Sequence, residues 1–416
     1  MIALGVGSMV GAGIFAMMGE AAALAGSAVW ISFALAGVIA LLTGHSFVQL
    51  GILYPSRGGV VDYLSRAYGE GRFSGACSIL FYFAQLIGMA MIALAFGKFA
   101  TALLGVQSNP ALSERLLGSG LIIVLSLLAV FGSKIIAQIQ RKVVLANLLL
   151  LGGFTIALAP QVDVNRLAVS TWPSGNDVLG SLALTFFALT GFAVISNAAE
   201  RLSNPSRDLP RAMVGAIGIV MLLYVAMALA ITGVVSEQQL TVSAAKLLPV
   251  AAQTQFGDIG YRILLISAVL STFTCLNGGL FGVTSITFSL ATKGQLPQRF
   301  GQQIRASTRG LTISAVSAIA LLNFFSLSTI ASLGSATSIF VYTLVNIGAL
   351  RLVRHGGMTK VLIVLSVIST LLATLVWVGY HLDQDPYTLA VFLLFLALAV
   401  LVESFLKRPG PLHNNS

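Results

Sequence analysis

Gly5-Val6-Gly7-Ser8-Met9-Val10-Gly11-Ala12-Gly13-Ile14-Phe15 opens the chain, and Leu182-Ala183-Leu184-Thr185-Phe186-Phe187-Ala188-Leu189-Thr190-Gly191-Phe192 stands near its middle. Both are apolar stretches interrupted by small or polar residues. Glycine costs about 1 kcal/mol against alanine in a helix interior. A first span with Gly5, Gly7, Gly11, Gly13 and Gly19 therefore either packs closely through its small residues or is unwound at Gly11-Ala12-Gly13. In the second case its free N–H and C=O groups line a polar cavity, because unwound backbone is tolerated at membrane depth only where protein or water surrounds it. The later stretch favours unwinding. It lies five spans on, so the two segments enter the membrane from opposite sides, and interrupted helices at matching positions of inverted halves point to a transporter's binding site. Proline is not the breaker, since the eleven prolines fall almost entirely in loops.

Outward from these stretches the chain has the composition of a membrane protein. Of its 416 residues 57% are hydrophobic and 9% charged, against roughly 25% charged in soluble domains. Twelve spans are expected: 2–24, 29–53, 74–104, 116–132, 138–159, 179–197, 212–235, 261–291, 311–325, 330–350, 361–380 and 387–402. Segments of about ten alternating residues, the mark of an outer-membrane barrel, are missing. With a cytoplasmic N-terminus, the inside segments hold Arg57, Arg66, Arg72, Lys134, Arg141, Lys142, Arg201, Arg207, Arg211, Lys293, Arg299, Arg305, Arg309, Arg351, Arg354, Lys360, Lys407 and Arg408, which is 18 of the 23 basic residues. Arg115, Arg166, Lys246 and Arg262 fall outside and Lys98 lies in a span. This bias puts both termini in the cytoplasm. It also makes the net charge of +10 a topology signal rather than a nucleic-acid footprint. The first apolar run lacks a charged lead-in and flows into a full span, so no cleavable signal is expected. The abrupt start at Met1 reads as a truncated chain or a late start codon.

Geometry suggests the chemistry. A half-helix N-terminus offers N–H groups and a positive dipole end to a carboxylate, while the end of the other half offers carbonyls to an ammonium group or a cation. Two crossed broken helices can hold a zwitterion without a buried charged side chain.

The stretch Gly7 to Phe15 resembles the first-helix motif of the amino acid–polyamine–organocation superfamily of permeases. Tyr54-Pro55-Ser56-Arg57-Gly58-Gly59-Val60-Val61-Asp62-Tyr63-Leu64 resembles that family's loop after the second helix. Phe186 to Phe192, with Ala199-Glu200 and Asn204-Pro205-Ser206-Arg207-Asp208-Leu209-Pro210-Arg211-Ala212, is similar to its sixth helix and adjoining loop; Asn277 and Lys293-Gly294-Gln295-Leu296-Pro297 fit the eighth. The resemblance implies an all-α polytopic membrane protein of twelve transmembrane helices. These would form a five-plus-five inverted repeat with helices 1 and 6 broken (residues 1–159 and 177–353), two further helices (359–405) and a cytoplasmic tail (406–416). It implies alternating-access transport of amino acids, with the N–H groups of Ala12 and Gly13, beside Gly11, receiving the substrate carboxylate. The carbonyls of Met9, Phe187 and Thr190 would receive its amine, Phe187 would close over it, and Ala188, Leu189 and Gly191 would shape the side-chain pocket. Three positions depart from the pattern: Ala12 where serine is frequent, Ala193 where many members carry glutamate, and Asn147 where some proton-coupled members carry lysine.

Polar residues inside the spans supply gating or coupling candidates. Glu20 and Lys98, both towards the outer side, either snorkel or pair as an outer gate. His45 either carries a proton or packs as a neutral hydrogen-bonded ring. Ser271, Thr272 and Thr274 either bond their own backbone or offer oxygens to sodium, so coupling to H+ or Na+ stays open. No cofactor or metal is expected, because Cys77 and Cys275 lie in apolar stretches and His45, His355, His381 and His413 are scattered. Nor does any catalytic cluster argue for an enzyme. Without a central charge, small residues (Ala12, Ala188, Ala193) among Phe, Leu and Met suit a neutral, apolar amino acid. A cationic amino acid or polyamine carrier and a non-transporting sensor are the alternatives, in a bacterial inner membrane by analogy. A channel, or a carrier of two six-helix halves, fits less well with paired breaks and a short central linker.

Overall fold

A computed structural model describes residues 1–56, 58–131, 134–242, 246–354 and 356–405 and, for residues 12, 134–139, 201, 237, 241 and 242, the backbone alone. Arg57, His355, Lys407, Arg408, His413 and the expected tail 406–416 lie outside the described residues. The helices are α1 (Ile2–Ala12), α2 (Met18–Ala25), α3 (Val29–Leu53), α4 (Val60–Tyr68), α5 (Arg72–Leu104), α6 (Pro110–Phe131), α7 (Lys134–Leu158), α8 (Gly175–Leu189) and α9 (Ala193–Ser196). They continue as α10 (Pro205–Val234), α11 (Glu237–Val242), α12 (Leu247–Thr292), α13 (Arg309–Phe324), α14 (Leu327–Leu352), α15 (Met358–Gln384) and α16 (Pro386–Phe405). A two-residue hairpin, Gln303–Ile304 against Ser307–Thr308, is the one strand pair among the described residues.

Ten stretches among the described residues are long and apolar enough to cross a membrane. The difference from twelve has two sources. Ile2–Leu53 runs as one 52-residue stretch whose two expected spans part at Gly26, where φ is +50°. Helix α13, with 16 residues, is shorter than the roughly 20 that a bilayer asks for. The expected eighth span is extended backwards: α12 starts at Leu247 and kinks at Gly257, φ +61°.

Burial separates a core from a lipid-facing shell. α5, α8 and α14 are mostly buried, whereas α6, α7, α15 and α16 expose Leu127, Leu149, Leu375 and Leu394. Such apolar faces suit acyl chains and would be a liability in water. Inside, α1 packs against α10 and α12, and α8 against α3, α14 and α15. The second, third and fourth helices of the two expected halves pack in pairs: α3 on α10, α5 on α12 and α6 on α13.

Small residues set how closely helices approach. A Cβ on Gly118 of α6 would stand 2.5 Å from the Ala93 carbonyl of α5, while one on Gly120 would meet nothing within 4 Å. Gly118→Leu should therefore force α5 and α6 apart and destabilise the fold by about 1–3 kcal/mol, and Gly120→Leu should leave it unchanged. Melting of the two variants side by side in detergent checks this; equal melting temperatures would refute the close approach.

Candidate functional site

The two interrupted stretches cross backbone to backbone. After α1 the chain makes a π-helical turn over Gly13–Met17; after α8 it makes a 3-10 turn over Thr190–Phe192. A Cβ on Gly191 would strike the Ser8 carbonyl, and one on Gly13 would strike the Tyr224 hydroxyl and the Ala188 carbonyl. Only glycine lets these segments approach so closely.

The turns are widened or tightened rather than opened, which corrects the expectation of unwound backbone with free polar groups. The Gly13 N–H, expected to meet a carboxylate, donates to Met9 O. That same carbonyl accepts the Tyr224 hydroxyl at 2.8 Å. Phe187 O accepts both the backbone N–H and, at 2.7 Å, the hydroxyl of Thr190. Thr190 O accepts the Ala193 N–H and, at 3.1 Å, the Tyr342 hydroxyl. A carbonyl has two lone pairs, so all three carbonyls expected to receive an amine are filled. The physical reason is burial, since an unmade bond there costs about 1–3 kcal/mol and a π turn keeps its bonds while adding a residue.

Beside the crossing lies a cavity of about 80 Å³. At about 10–15 Å³ for each water on this measure, it has room for a small amino acid. Of the expected site residues, Met9, Gly13, Phe187, Ala188, Thr190 and Gly191 line it, as does Ala193. Leu189 is fully buried behind it. Gly11 faces α12 instead, where a Cβ would strike Cys275 and the Ser271 carbonyl; of Ala12 the backbone alone is described. The Phe187 ring lies across the notch left by Gly334. Sequence reasoning passed over Gln85 of α5, Asn197 at the end of α9 and Ser338 of α14, which also line the cavity. Gln85 carried a signal, being the one amide in the apolar run Arg72–Leu104. All the lining side chains among the described residues are uncharged.

The amino acid permease family model matches residues 1–410. The chain belongs to the amino acid permease family. It is 32% identical to the inner membrane transport protein YbaT of Escherichia coli K12, covering 98% of this chain and 95% of that one. It is 26% identical to the serine/threonine exchanger SteT of Bacillus subtilis, over 71% of this chain and 68% of the other. In fold it is similar to MhsT, whose crystal structure holds L-phenylalanine: the TM-score is 0.65 at 14% identity, over 90% of this chain and 97% of MhsT. This permease is a multi-pass membrane protein of a family that transports amino acids.

The gating and coupling candidates are dispersed around the permease's cavity. Asn147 of α7 is buried; its Nδ2 donates to Ser271 Oγ at 2.7 Å and its Oδ1 accepts from Ser267 Oγ at 2.9 Å. Thr272 and Thr274 donate to the carbonyls of Ala268 and Ser271 in their own helix, at 2.7 and 2.9 Å. Among the described residues Glu20 has no ion-pair partner within 4.0 Å, Lys98 included; it borders a second cavity of about 340 Å³ with Tyr380, His381 and Asp385. His45 is half-buried, its Nε2 is without a partner, and it lies away from the central cavity.

The other end of the bundle is tied by the amphipathic α4. Lys293 Nζ, at the end of α12, stands 3.0 Å from Asp62 Oδ1, Ser289 Oγ donates to the same carboxylate at 3.0 Å, and Gly58 N–H donates to Oδ2 at 3.1 Å. Burial alone would raise the Asp62 carboxyl, but Lys293 and the hydroxyls of Ser56 and Ser289 outweigh it and hold it below the ordinary carboxylate value. The tie's stability is therefore complete above that ordinary value, about 3.9, and is lost as pH falls through the lowered one. Asp62→Asn should destabilise the neutral-pH protein by about 1–2 kcal/mol. Melting curves of wild type and variant should converge as pH drops below about 4; a gap independent of pH would show that charge is not what holds α4 to α12.

Proposed function

We propose that the chain carries neutral amino acids across a bacterial inner membrane by alternating access, with both termini cytoplasmic and the cavity at the helix crossing as the substrate site. The observation that carries this is the juxtaposition of two glycine turns around a small cavity lined by uncharged groups. Neutral lining suits a zwitterion whose side chain adds no charge. A cationic amino acid or polyamine would ask for a carboxylate, and none of the described lining residues is Asp or Glu. The pairing of α3 with α10, α5 with α12 and α6 with α13 supports two inverted halves, residues 1–159 and 177–353, that rock about the site.

On this reading substrate binding loosens the π turn. The carboxylate takes the N–H groups of Ala12 and Gly13, and the amine exchanges with the Tyr224 and Tyr342 hydroxyls at Met9 O and Thr190 O. Coupling to a proton at the Asn147 position is not part of the proposal, since a carboxamide holds no titratable proton. A sensor would bind as a carrier does, so flux separates the two.

A thermal-shift screen of the purified protein against the twenty amino acids and common polyamines tests the site. A neutral amino acid near 100 times its dissociation constant should stabilise the fold by about 2.7 kcal/mol, and Gly13→Leu should lose that shift. Uptake of the same amino acid into proteoliposomes should follow; a shift without flux would favour the sensor, and a shift with cationic amines alone would overturn the neutral reading.

A further inference from the structure

We propose that the carboxamides of Gln85 and Asn197 bind the substrate's side chain, so that the permease selects neutral amino acids bearing a hydroxyl or carboxamide over apolar ones. This rests on the reading of the central cavity as the amino acid site and departs from the apolar preference expected from sequence.

Asn197 lines the cavity, is 4% exposed, and its Oδ1 is buried with no hydrogen-bond partner. A buried amide oxygen without a partner is costly and rare in a native interior. Asn197 Oδ1 lies against Gly59 of the loop before α4, where a Cβ would strike it, and Nδ2 is the end nearer Gly282 of α12. Gln85, on α5, comes to the same place. A Cβ on Gly282 of α12 would stand 3.8 Å from Asn197 Nδ2 and 3.9 Å from Gln85 Oε1, so both amides border the notch that glycine leaves. Together they present donors and acceptors of both kinds.

Much of the remaining wall is apolar, Met9, Phe81, Met89, Ile92 and Phe187 among it, with the hydroxyl of Ser338 in addition. Ligand sites commonly set specificity with a few polar groups in such a wall. The main-chain charges of a bound amino acid belong at the helix crossing, where Ser8, Thr190 and Gly191 stand. That leaves the amide pair for the side chain. The cavity's small volume favours a short one.

Threonine and valine have nearly the same shape and differ by a hydroxyl for a methyl. Binding of L-threonine, L-valine and L-alanine to the purified full chain, by calorimetry in detergent, therefore isolates the amide pair. Wild type should bind threonine at least about tenfold more tightly than valine, because a site built to hydrogen-bond a hydroxyl rejects the analogue without it. The ratio should fall to near one in Gln85→Met and in Asn197→Leu, while alanine binding and ligand-free melting stay close to wild type. Valine binding equal to or tighter than threonine in wild type would overturn the proposal without any variant. A ratio unmoved in both variants would overturn it too; in each case retained alanine binding leaves the amino acid site itself standing. Failure of wild type to bind any of the three would remove the site reading together with the proposal.

Discussion

Everything in the centre of this permease depends on two backbones touching. Gly191 lies against the carbonyl of Ser8, and Gly13 against the Tyr224 hydroxyl and the Ala188 carbonyl. With any larger residue at either position the two segments would be held apart and the cavity between them reshaped. Close approach also brings α10 and α14 into the site, since their tyrosines reach the carbonyls that the irregular turns present.

The surrounding membrane dictates how the rest is satisfied. Hydrocarbon offers no hydrogen bonds, so polar groups must find partners inside the protein. Seams of neutral side chains do this between helices. Asn147 joins α7 to α12. Asn277 Nδ2 donates to Gln140 Oε1 at 2.9 Å, and Asn346 donates to Thr43 and Thr370 across α3, α14 and α15. At one end of the bundle the charged pair of Asp62 and Lys293 ties the amphipathic α4 to the longest of the described helices.

Much of the architecture could be read from residues alone. Hydrophobic runs mark the helices because burial in lipid needs unbroken apolar length. Glycine marks the irregular turns because nothing else fits where backbones meet; Met9, Gly13, Phe187, Ala188, Thr190 and Gly191, which line the cavity, were implied by the resemblance of the two motifs to the permease family. What sequence could not give was the form of the turns. Whether a glycine-rich segment unwinds or stays helical with a π turn is decided by donors that arrive from elsewhere, and Tyr224 and Tyr342 are distant in the chain. For the same reason Gln85 and Asn197 were passed over: each is an ordinary amide until the fold brings both beside Gly282. Leu189 and Gly11 share a motif with cavity residues, yet Leu189 is fully buried outside the lining and Gly11 faces α12.

The filled carbonyls of Met9 and Thr190 bear on how firmly a passenger can be held. An ammonium group arriving there would displace a tyrosine hydroxyl rather than find an empty acceptor, so its gain is a charge-assisted bond less the neutral one it replaces. Such an exchange makes for modest grip and ready release, which suits a device whose work is finished only when it lets go.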